Sequence, residues 1–71
     1  MPKYTTVEGF LKEFDSDERT VVLHDKEDME EKEYELLPEF TKEKGWEERV
    51  AKLVNREVTL KLKDGKAYGI E

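Results

Sequence analysis

Trp46, Val50, Leu53 and Val54 recur at i, i+4, i+7 and i+8, marking one face of an α-helix. No other stretch carries a helical signal. Three β-patterned runs precede it and two follow, so the chain reads β-β-β-α-β-β, and that order constrains the fold most. The helical signal occupies Glu39 to Asn55. Glu47 and Glu48 near its start and Lys52 and Arg56 near its end suit the helix dipole. Asn55 is a natural stop. Gly45 either caps this helix or ends a short turn begun at Pro38.

The β-runs follow from alternation. From Tyr4 to Phe14, Val7 and Leu11 alternate with polar residues, and Gly9 within the run predicts a bulge or sharp bend. Asp15-Ser16-Asp17-Glu18 has turn chemistry, and Arg19 to His24 supplies a second β-rich run. Asp25 to Glu31 reads as an exposed acidic loop. Lys32 to Leu37 sets Tyr34 and Leu36 opposite Glu33 and Glu35, predicting a third strand that Pro38 ends. Val58, Leu60 and Leu62 alternate in a fourth, Asp64-Gly65 is a turn, and Ala67 to Ile70 returns as a fifth.

Composition bounds the rest. Seventy-one residues with 35% hydrophobic side chains make one domain, 1–71, with one small core. No apolar run approaches the roughly 18 residues of a membrane span, and the N-terminal residues lack a signal-peptide pattern. The expectation is therefore a cytoplasmic chain with no membrane partner. Without cysteine there is no thiolate ligand, and one histidine offers little to zinc, so no metal or other cofactor is expected. Fourteen Glu and ten Lys beside no Gln, no Cys and one Asn give a thermophile-like composition, which a designed or viral sequence shares.

Val7-Glu8-Gly9-Phe10-Leu11, followed by Phe14-Asp15 and Thr20-Val21-Val22-Leu23, resembles the first hairpin of the OB-fold, whose long glycine-bent first strand serves both sheets. Leu53 to Leu60 resembles the passage from the OB helix into strand four, and Asp64 to Glu71 its last hairpin. The resemblance implies a mainly β fold with one helix, an OB-like five-stranded barrel. Gly9-Phe10-Leu11, Phe14-Asp15 and Asp25 are also similar to the first Sm motif, so an Sm- or SH3-like barrel is the second choice.

Nucleic-acid binding is the role an OB resemblance implies, and it needs aromatic platforms in a basic groove. Tyr4 and Phe10 lie opposite Val7 and Leu11, with Lys12 beside them and His24 near, and these form the candidate platform. The competing reading turns some of these rings into the core. Lys61, Lys63 and Lys66 are the only basic cluster, either a phosphate contact or lysines guarding an edge strand. Phe40 is read first as a satellite of the core, and it is also the candidate for an exposed anchor. Trp46 belongs to the helical stripe.

Charge separates the roles. Of the net −6, residues 1–35 carry −7 and residues 36–71 carry +1. The excess lies in the first turn and the Asp25–Glu31 loop, which border the ligand groove in OB proteins and would repel a phosphate backbone. The loop lacks the Asp/Asn alternation and central glycine of a calcium loop. Ser16 and His24 have no catalytic context. The expectation is a non-enzymatic module that binds another protein through an acidic surface, with a single-stranded nucleic-acid binder as the alternative.

Overall fold

The computed structural model describes residues 1–71. Five antiparallel strands, β1 (Tyr4–Asp15), β2 (Thr20–Asp25), β3 (Glu31–Glu35), β4 (Glu57–Lys63) and β5 (Lys66–Ile70), form one sheet in the order β3-β2-β1-β4-β5. Two helices, α1 (Pro38–Thr41) and α2 (Trp46–Leu53), lie between β3 and β4. None is long and apolar enough to cross a membrane.

β1 is the spine. Its Tyr4–Phe10 half pairs with β4 and its Gly9–Asp15 half with β2, overlapping at Gly9 and Phe10. Next along β1, the Leu11 N–H donates to the Arg56 carbonyl at 3.1 Å and the Leu11 carbonyl accepts from the Asn55 N–H at 2.6 Å. The irregularity predicted at Gly9 lies instead further along, as a bulge between Leu11 and Glu13, and Gly9 itself is regularly paired. That extra residue, Lys12, shifts the alternation by one and turns Phe14, not Glu13, toward the core.

One sheet face is apolar. Leu11, Val21, Leu23, Val58, Leu60, Leu62, Ala67 and Ile70 are buried there, joined by Leu36, Phe40, Trp46 and Val50. A fully buried Leu such as Leu11 or Leu60 stabilises by roughly 1.5–3 kcal/mol. Trp46 meets Phe14 and Phe40 edge-on, with centroids 6.2 and 6.1 Å apart.

The sheet differs from the expected barrel by not closing. Only one parallel bridge, Leu36 to Ala67, joins the end of β3 to β5, with the Leu37 N–H donating to the Ala67 carbonyl at 2.8 Å. The expected single helix is two helices. Pro38 starts α1 at its first position, and Gly45, at φ 87°, stands ahead of Trp46 and opens α2. Asn55, at φ 69°, stops the helical segment as expected.

Phe40 requires a correction. It is 4% exposed and packs in the core, because α1 folds its aromatic ring under the sheet. It is no surface anchor. Asp25 is likewise buried, not part of an exposed loop, and its Oδ1 accepts the Glu27 N–H at 2.8 Å to shape the β2–β3 turn.

Candidate functional site

The solvent-facing side of the sheet holds most of the expected site residues. Register on β1 and β4 sets Tyr4 beside Lys63, Thr6 beside Lys61, Glu8 beside Thr59 and Phe10 beside Glu57. Phe10 also faces His24 across β2, which in turn faces Glu31 of β3. Tyr4 and Phe10 are exposed and His24 is half-buried. Lys12 is the exposed extra residue of the bulge.

These groups do not form one platform. Tyr4 stacks edge-on against Tyr68 at 5.8 Å, near Lys61 and Lys63. Phe10 lies six residues along β1, about 20 Å away at the usual strand rise, with Glu8 and Glu57 between and beside. Tyr68 escaped the sequence reading because the β5 bulge beside it, between Lys61 and Leu62 on the partner strand, obscures its alternation.

The basic cluster is partly neutralised. Lys61 meets the Glu71 carboxylate at 2.6 Å, which holds its ammonium above the usual lysine range through a side-chain hydrogen bond. Lys66 reaches Glu35 at 3.4 Å. The edge-guarding reading fits Lys66 alone, since Lys61 and Lys63 stand on β4, inside the sheet.

Acidic groups gather at the opposite end. Glu13, Asp15, Glu18 and Glu33 line a concavity of about 370 Å³ with Thr20, Val22 and Phe14. The Asp15 carboxylate accepts the N–H groups of Asp17 and Glu18 at 2.9 and 3.1 Å, so the turn folds around it. A second concavity of about 230 Å³ is lined by Thr6, Val7, Glu8, Asp25 and Glu27. His24 lines neither of these, nor the third, beside Leu37, Glu39, Lys63, Asp64 and Lys66. No three His, Asp or Glu side chains converge as metal ligands.

The β2–β3 turn holds internal ion pairs. Lys32 Nζ lies 2.6 Å from Asp28 Oδ2 and 3.7 Å from Asp25 Oδ2. The hydrogen bond to Lys32 holds the Asp28 carboxyl below the usual aspartate range and raises the Lys32 ammonium. Beyond it, Glu31, Glu33 and Glu35 are exposed on the outer face of β3, while Lys32 and Tyr34 are half-buried on the inner one. Burial raises the Tyr34 phenol above its ordinary value.

The chain has no significant match among protein-family models, curated proteins or solved structures.

Proposed function

We propose that this chain is a small non-enzymatic binding module that engages another protein through its acidic surface. One observation carries the reading. Glu13, Asp15, Glu18 and Glu33 line one concavity at one end of the sheet, and none of them is in an ion pair. Unneutralised carboxylates side by side raise the local negative potential, which attracts cationic surfaces and steers their approach.

We read the scaffold as an OB-like, partly open barrel in a cytoplasmic protein. Support for the scaffold comes from both helices falling between β3 and β4, from β1 being shared by β2 and β4, and from the Leu36–Ala67 bridge.

A single-strand nucleic-acid binder is the second reading, favoured by the Tyr4–Tyr68 pair beside Lys61 and Lys63. Amide-shift titrations at low salt separate the two. Polylysine is expected to move the amides of the Asp15–Glu18 turn and β3, and oligothymidylate to move none. Tight, salt-sensitive oligothymidylate binding around Tyr4 and Phe10 would overturn the first reading.

A further inference from the structure

We propose that the outer edge of β3 docks an extended basic segment of another protein, which adds as a sixth strand along Glu31 and Glu33. This rests on the acidic protein-binding reading and gives it a site and a partner chemistry.

The backbone supplies the first part. β3 is terminal in the sheet. In its hairpin with β2, the Leu36 N–H donates to the Arg19 carbonyl and the Asp25 N–H to the Glu30 carbonyl, both at 2.8 Å. Antiparallel pairing alternates, so Lys32, Tyr34 and Leu36 turn their backbone groups toward β2. The N–H and C=O groups of Glu31 and Glu33 turn away, and no strand pairs with them. The Leu36–Ala67 bridge occupies the far end of this edge and limits docking to its first half. Main-chain pairing of this kind gives affinity, while alternate side chains give specificity.

Charge selects the occupant. Glu31, Glu33 and Glu35 share the outer face, and Glu33 also lines the acidic concavity. Lys66, on the strand bridged to the far end of the edge, already reaches Glu35 at 3.4 Å, an internal instance of a lysine meeting this row. A second copy paired along the same edge would set glutamate opposite glutamate, which is unfavourable. The same carboxylates therefore reject self-pairing and accept a cationic strand, a selection by difference. On the inner side, the incoming residue between those facing Glu31 and Glu33 meets Lys32, whose ammonium is turned to Asp28, and the next meets half-buried Tyr34, so both positions favour apolar side chains. The matching segment alternates basic and apolar residues.

The test uses the full chain and a capped peptide of alternating Lys and Val. Expected are saturable amide shifts in β3 and β2, slowed exchange of the Glu31 and Glu33 amides, and at least tenfold weaker binding to Glu31→Lys/Glu33→Lys. Glu33→Pro removes one edge donor, and proline is tolerated on an edge strand, so it too is expected to weaken binding at least tenfold. A peptide of alternating Glu and Val is expected not to bind. Full-strength binding to Glu33→Pro would mean charge without strand pairing and would overturn the proposal. So would shifts confined to the Asp15–Glu18 turn or the 25–30 turn, which would leave the acidic-surface reading standing. Dimerisation through β3, oligothymidylate binding at this edge, or no peptide binding would also overturn it, and the polylysine titration then judges the broader reading independently.

Discussion

Gly9 lies against the backbone carbonyl of His24 with no room for a β-carbon between them. Gly9 is paired on both sides, to Asp25 of β2 and Val58 of β4, so neither neighbour can retreat without breaking the other's register. Gly9→Ala is expected to cost about 3 kcal/mol, the upper range of overpacking. In a domain of this size that lowers Tm by more than about 10 °C. A urea midpoint near that of the parent chain would show that β2 can move.

Phe40→Ala is expected to destabilise by about 3–5 kcal/mol through loss of a buried aromatic, because Phe40 packs edge-on against Trp46. Phe10→Ala, at a ring 40% exposed, is expected to stay within about 1 kcal/mol. Thermal denaturation of the pair checks the assignment of one ring to the core and the other to the surface.

Acid titration reports on the β2–β3 turn. Asp28 is held below the ordinary aspartate value, of about 3.9, by Lys32. The folded state therefore binds fewer protons at Asp28 than the unfolded chain between the two values. The stabilisation is present above pH of about 3.9 and is lost as pH falls through the lowered folded value. Lys32→Met is expected to return the Asp28 carboxyl toward the ordinary value, read from its side-chain carbon shift.

Asp64 at φ 53° and Gly65 at φ 82° form the left-handed two-residue turn between β4 and β5. Gly65→Ala is expected to cost about 1–2 kcal/mol from backbone strain. Asp64→Asn keeps an acceptor for the Lys3 N–H, now 2.9 Å from Oδ1, and is expected to be nearly neutral. Chemical denaturation of both variants separates the backbone strain at Gly65 from the loss of charge at Asp64.

Alternation made Lys32 to Glu35 and Val58 to Leu62 legible as strands, β-rich composition did so for Thr20 to Leu23, and the Asp64-Gly65 turn marked the return into β5. The shift at Lys12 was not legible, because Gly9 marks an irregular strand while the position of a bulge is set by the pairing with β2. α1 was missed for another reason. Four residues are little more than one helical turn, too few to show a period, so Phe40 looked isolated until Trp46 came beside it. The acidic excess was visible in the first 35 residues, yet its convergence was not. Glu13 and Glu33 are twenty positions apart and meet only through the β1–β2–β3 register.

The pairing of Tyr4 with Lys63 ties the two ends of the chain together. The β1–β2 and β4–β5 hairpins close short loops, whereas the β1–β4 seam closes one that holds almost everything else, at a greater entropic cost. Such non-local contacts slow folding and favour assembly of the hairpins before the seam. A cavity at Val21, inside the first hairpin, is then expected to slow refolding. One at Leu60, in the seam, is expected chiefly to speed unfolding, a contrast that stopped-flow kinetics resolves.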